Sequence, residues 1–368
     1  MTRHLYVHLP FCAHRCGYCD FVTVLGRAEQ HGAYVDALLA ELALERELLA
    51  PELETVFLGG GTPTFTEPAA LERLLRALPA AQEVTVEANP ETLTQELART
   101  LRRLGVNRVS LGVQSFRPHL LVTLERVAQP DTVRRAFYHL RDAGFDNISF
   151  DLIYGIPGQS AADLEADLGD ALELEPEHLS CYELEAKPGT RFTHAHGDEL
   201  ALQADAMESY FELVVEQLTS AGYRWYETAN FCRTPGTEDG RDLRSRHNLA
   251  YWLGRDYLGL GIGAVSTNEG RRWRNTPRLP AYLAALADRR RPERELEPLP
   301  LDVRQRERVM LGLRLDEPLL VDGLGDVLDG AALERLERLG LVDRADATLA
   351  LTPRGRMLGG GVTADLLA

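Results

Sequence analysis

Short apolar runs and helix-period stretches take turns along the first two-thirds of the chain. Leu5–Leu9 reads as a strand that stops at Pro10. From Ala33 to Leu49, Leu38, Leu39, Leu42 and Leu49 recur at helix spacing among glutamates, which predicts an amphipathic helix. Thr55–Leu58 reads as a second strand, closed by Gly59-Gly60-Gly61, and Pro68 opens a helix through Leu78. The pattern repeats in strand Glu83–Glu87, helix Thr94–Leu104, strand Asn107–Gln114 and helix Pro130–Ala143. It continues in strand Asn147–Tyr154, helix Ala161–Leu174, strand His178–Leu184 and helix Leu202–Ala221. Such alternation predicts βαβ units and a parallel sheet. Six units fall short of the eight of a closed barrel, so the expected fold is α/β, a partial (β/α)6 TIM-like barrel. The glycine and polar motifs fall at strand ends, on the rim where such folds bind ligands.

The pattern then changes. Tyr223 to Trp273 reads as irregular, and Arg289–Pro300, charged and proline-rich, reads as a linker. Beyond it, Val303–Leu313 and Ala331–Leu339 read as helices, with a small β-wing at Gly340–Val342 and Ala347–Leu351. The expected organisation is a core domain over 1–225, an adjoining segment over 226–288, and a small C-terminal helical, winged-helix-like domain over 295–368.

Composition narrows the classes. With 368 residues, 45% hydrophobic and 26% charged, the chain can bury a large core. A net charge of −16 argues against non-specific binding to nucleic acid or anionic membranes. No apolar run reaches 18 residues and no signal-peptide pattern precedes Leu5, so neither stable membrane insertion nor export is expected. Five cysteines, three of them clustered, suit a reducing cytoplasm with thiols kept for chemistry.

Those three are Cys12, Cys16 and Cys19, within eight residues of one another. Thiolates are the usual ligands of iron–sulfur clusters, and three would hold three irons of a [4Fe–4S] cluster, leaving the fourth open. Zinc is the rival, with His8 or His14 as a fourth ligand. Gly59-Gly60-Gly61-Thr62-Pro63-Thr64 ends the second strand but lacks the Lys-Ser/Thr of a phosphate-binding P-loop. Glu87, Gln114, Arg126 and Asp151 each end or follow a strand. Carboxylates there can accept ribose hydroxyls and an arginine can pair with a carboxylate. Taken singly, each has a plain reading as a helix cap or a surface ion pair. Cys181 and Cys232 read as ordinary buried thiols.

Cys-x3-Cys-x-Tyr-Cys after a first strand resembles the radical S-adenosylmethionine (SAM) superfamily. That resemblance implies a [4Fe–4S] cluster on Cys12, Cys16 and Cys19 whose open iron chelates SAM and whose electron cleaves it to a 5′-deoxyadenosyl radical. Glu87, Gln114, Arg126 and Asp151 match, in order, the SAM contacts of the subfamily that includes oxygen-independent coproporphyrinogen III oxidase, and Tyr6 matches another of its contacts. Gly60, Gly61 and Thr62 lie in a run that resembles the superfamily's glycine-rich loop, whose backbone holds the SAM amino group. The likeness runs through PFCxxxCxYCDF, GGGTPT, EANP, GVQSF, DLIYGIPGQ and RHNLAYW. Two features lean away from the oxidase: Phe21 stands where its fourth cysteine would be, and the first cysteine is already residue 12 whereas the oxidase carries a longer N-terminal extension. CDF with His247, Asn248, Tyr251 and Trp252 is instead similar to the HemW heme chaperones. That likeness implies heme as cargo, with recipient hemoproteins and an electron donor as partners. Imidazole is the usual axial ligand of heme iron, so His247 is the expected ligand, with Tyr251 and Trp252 packing a porphyrin face. The alternatives are oxidative decarboxylation of coproporphyrinogen III and another radical reaction on a tetrapyrrole. Around Arg126 the chain reads Glu125-Arg126-Val127-Ala128, where many relatives read Gly-Arg-x-His.

Overall fold

A computed structural model of the protein describes residues 1–185, 191–234 and 240–367. Its centre is the predicted run of parallel strands: β1 (His4–Leu9), β2 (Leu53–Gly60), β3 (Ala81–Ala88), β4 (Arg108–Gln114), β5 (Ile148–Tyr154) and β6 (His178–Glu183). Each pairs in parallel with the next in sequence, with helices filling the crossovers.

The two faces of these strands differ in kind. Leu5, Val7 and Leu9, Val56 and Leu58, Val109, Leu111 and Val113, Ile148, Phe150 and Leu152 alternate outward into the main apolar core under the helices. Burying each contributes about 1.5–3 kcal/mol. The intervening positions, among them Tyr6, Phe57, Glu87, Arg108, Ser110, Asp151 and Ser180, line a cavity of about 650 Å³. A strand that is apolar on one side and polar on the other fixes its register, because a one-residue slip would exchange the two faces.

Three more strands complete a nine-stranded sheet in the order β9-β1-β2-β3-β4-β5-β6-β8-β7. They are β7 (Tyr223–Glu227), β8 (Asn230–Arg233), antiparallel to β6, and β9 (Leu258–Leu260), parallel to β1. The ends do not pair, so the barrel is partial, as expected.

The stretch read as irregular therefore supplies three sheet strands, and the expected boundary at 225 falls within β7. Strands of three to five residues are too short to show a period. Part of that stretch, 235–239, lies outside the described residues. The expected linker is likewise structured: β12 (Arg294–Pro298) pairs with β11 (Arg271–Asn275), which pairs with β10 (Val265–Asn268). As an edge strand β12 tolerates the charge and proline that made it read as a linker.

The helix expected at 33–49 runs Ala28–Glu45, followed by a 3₁₀ turn at Arg46–Leu48. The one expected at 202–221 is two, Arg191–Ala204 and Met207–Ser220. No proline or glycine marks that break; Gln203 sits at it and bonds the Ile156 and Gln159 carbonyls at 3.1 and 2.9 Å.

The C-terminal part has its own core of Val309, Leu333, Leu336, Leu349, Val362 and Leu366. Helices Leu301–Gly312 and Gly330–Arg338 pack with an antiparallel wing of Leu319–Leu320, Val342–Ala345 and Thr348–Leu351. It is keyed to the sheet by Arg224 on Asp316 at 2.7 Å and by Arg314 on buried Glu227 at 2.7 Å.

Candidate cofactor and cargo site

Cys12, Cys16 and Cys19 follow β1 and line the cavity. The Thr62 hydroxyl donates to Cys12 Sγ at 3.5 Å and Arg126 Nη1 to Cys16 Sγ at 3.7 Å. Burial pushes the Cys12 and Cys19 thiols up, against the Thr62 hydroxyl at one and the Phe21 N–H at the other. The histidines of the zinc alternative are committed elsewhere. His8 bonds Tyr6 through Nδ1 at 3.0 Å and the Val22 carbonyl through Nε2 at 2.8 Å, and His14 Nε2 bonds the Glu125 carbonyl at 2.8 Å. Among the described residues no three His, Cys, Asp or Glu side chains converge as one metal ion requires. A cluster spreads its irons, and three thiols around one cavity suit it.

The glycine loop is as tight as its sequence suggests. Gly60 has φ of 110°, and a Cβ there would lie 2.4 Å from the His8 ring. Its N–H donates to Glu87 Oε2 at 3.0 Å. Gln114 takes φ of 68° where the β4–β5 register slips, a strained backbone that points to function at the strand end.

Glu87, Asp151 and Arg126 prove to be neither caps nor surface pairs. Burial, with the charge of Asp151 second, pushes Glu87 up to about 7. Burial likewise pushes Asp151 up to about 6, opposed by hydrogen bonds from Ser180 and Ser110 and the charge of Arg108. Arg126 is buried and bonds Asn89 Oδ1 at 3.1 Å and the Gly112 carbonyl at 3.0 Å. Its Nε is enclosed without a partner among the described residues. Tyr6, Gly60, Gly61, Thr62, Glu87, Gln114, Arg126 and Asp151 thus all line the one cavity.

A profile of the radical SAM superfamily matches residues 6–171. The heme chaperone HemW of Mycobacterium tuberculosis is 38% identical over 99% of this chain and 94% of its own. HemW of Bacillus subtilis is 33% identical over 97% of each. The chain belongs to the HemW family of radical SAM proteins. That superfamily implies a [4Fe–4S] cluster and SAM, and the three thiols lining the cavity fit the first. Among solved structures, coproporphyrinogen III oxidase (HemN) from Escherichia coli matches with a TM-score of 0.79 and 25% identity, over 98% of this chain and 89% of that one. No helix among the described residues is long and apolar enough to cross a membrane.

The second HemW-like motif lies on helix Arg246–Trp252, more than two hundred residues from the cysteines, yet His247, Asn248 and Tyr251 line the same cavity. Ser245 caps this helix, and Glu83 of β3 accepts from the Arg246 and His247 N–H groups at 3.2 Å each. His247 is 1% exposed, and burial pushes it down to about 3. Its Nδ1 meets the Thr55 hydroxyl at 2.7 Å and its Nε2 the Tyr251 hydroxyl at 2.9 Å. Both nitrogens of the imidazole expected to ligate heme are thus engaged within the protein. Trp252 lies outside the cavity lining: the Arg314 guanidinium stacks 4.3 Å from its ring, which ties the C-terminal part to the motif helix.

Cys181 and Cys232 are buried, as expected, and outside the lining. Sequence reasoning missed Arg108, Ser110, Ser180 and Tyr182 in the cavity wall. The signal was the polar residue at every second position of otherwise apolar strands.

Proposed function

We propose that this chain is a cytoplasmic heme chaperone that binds heme and passes it to recipient hemoproteins. Cys12, Cys16 and Cys19 hold the [4Fe–4S] cluster, and Tyr6, Gly60, Gly61, Thr62, Glu87, Gln114, Arg126 and Asp151 surround SAM. When bound and reduced by an electron donor, the cluster supplies the electron that cleaves SAM. Thr62 and Arg126 steady the thiolates, while Glu87 and Asp151 offer carboxylates to a cationic, hydroxyl-bearing ligand. Heme sits against the His247–Tyr251 pair. What carries the reading is that this pair, on a HemW motif distant in sequence, shares a wall with the cysteine loop.

The test is a heme titration of the anaerobically reconstituted chain, run beside an assay with coproporphyrinogen III, SAM and a reductant. Saturable 1:1 heme binding without porphyrinogen turnover is expected. Protoporphyrinogen formed at catalytic rates, or no heme binding, overturns the proposal.

A further inference from the structure

From the hydrogen-bond chain under the motif helix we infer that the phenolic oxygen of Tyr251, not the imidazole of His247, is the protein's ligand to ferric heme iron. The inference rests on the heme-binding reading above and adds the atom that meets the iron.

The chain begins at the far end of the barrel. Glu54, 39% exposed, has Oε2 3.8 Å from His4 Nε2. At that distance the two are not hydrogen-bonded, and Glu54 Oε1 accepts from Arg3 at 2.9 Å. The nearby carboxylate still favours the His4 tautomer with its proton on Nε2, which leaves Nδ1 bare. The Thr55 hydroxyl, 3.0 Å from that nitrogen, donates its one proton to it. Thr55 Oγ1 is then an acceptor, and His247 Nδ1, at 2.7 Å, donates to it. A neutral imidazole carries one proton, so His247 Nε2 is bare and accepts from the Tyr251 hydroxyl at 2.9 Å. Reversing the direction would turn a lone pair of His4 toward Glu54.

This order decides which atom can meet a metal. The one open lone pair on His247 already holds the Tyr251 proton, and the residue is 1% exposed. Tyr251, less buried than His247, has donated its proton to that ring, and among the described residues its oxygen accepts no hydrogen bond. Tyrosine is an established class of heme ligand, and an anionic oxygen favours ferric over ferrous iron. On binding, the Fe–O bond forms as the O–H bond breaks, with no change in electron count. The proton moves to His247 Nε2, His247 passes its Nδ1 proton to Thr55, Thr55 passes its own to His4, and His4 releases its Nε2 proton to the solvent that reaches the half-exposed Glu54. A bound metal charge is what drives such a deprotonation.

The experiment uses the full-length, cluster-reconstituted chain with ferric heme, read by resonance Raman and by titration. The wild type is expected to show iron(III)–phenolate modes. Tyr251→Phe loses them and binds more than about tenfold more weakly, while His247→Ala keeps them at about tenfold lower affinity, as loss of a supporting partner does. Tyr257→Phe, which removes a hydroxyl from the ring packed on Tyr251, leaves the modes in place. Reduction to ferrous heme weakens binding to the wild type but not to Tyr251→Phe. An imidazole-type spectrum in the wild type overturns the inference without any variant, as does an unaltered spectrum in Tyr251→Phe. Failure of heme to bind at all brings down the chaperone proposal, and this ligand with it.

Discussion

Thr55→Val tests the buried network that positions the motif helix. Thr55 is 0% exposed, and its hydroxyl bridges His4 Nδ1 at 3.0 Å and His247 Nδ1 at 2.7 Å. Valine keeps the shape and removes both bonds. Two buried ring nitrogens are left unpaired, at roughly 1–3 kcal/mol each. The apolar methyl that replaces the hydroxyl returns about 1 kcal/mol. The net loss is thus on the order of 3 kcal/mol. Thr55→Ser is the comparator: it keeps the hydroxyl and loses one methyl, at about 1 kcal/mol. Urea unfolding at neutral pH, followed by far-UV circular dichroism, should place the valine variant about 2 kcal/mol below the serine variant, the difference between those two losses. A valine variant as stable as the serine variant would refute the reasoning, because the hydroxyl would then carry no net energy.

Gly60→Ala introduces a Cβ 2.4 Å from the His8 ring at a φ of 110°, so the loop and the Tyr6–His8 pair must both shift. SAM affinity by calorimetry should fall at least about tenfold, equivalent to 1.4 kcal/mol; an unaltered affinity would contradict the assigned loop. Glu87 is held up at about 7 against the ordinary 4.5, so its contribution to stability is complete below pH 4.5 and is lost as the pH rises through 7. Glu87→Gln should therefore be more stable than the wild type at pH 8, by on the order of 3 kcal/mol, with the gap closing below pH 4.5. Thermal melts across that range check it, and a gap that does not vary with pH would rule out ionisation as the cause.

Much of this protein is legible in its sequence because the interactions responsible are local. The alternation of strands and helices survives in the structure since each βαβ unit writes its own period. Cys12, Cys16 and Cys19 share a loop because they share a few residues of chain. Gly60 announces a backbone that a side chain would not allow.

Tertiary structure decided what depends on distant partners. Residues 223–260 read as irregular because β7, β8 and β9 are held by β6 and β1, not by a period of their own. The break before Met207 lies at Gln203, which is bonded to carbonyls 47 and 44 residues away. The motif helix shows the division most clearly. Its residues name a family, but the hydrogen-bonded row of His4, Thr55, His247 and Tyr251 exists only once β1, β2 and that helix are packed together. Which of its two side chains offers a lone pair to iron is a property of that assembled chain, and no spacing within RHNLAYW contains it.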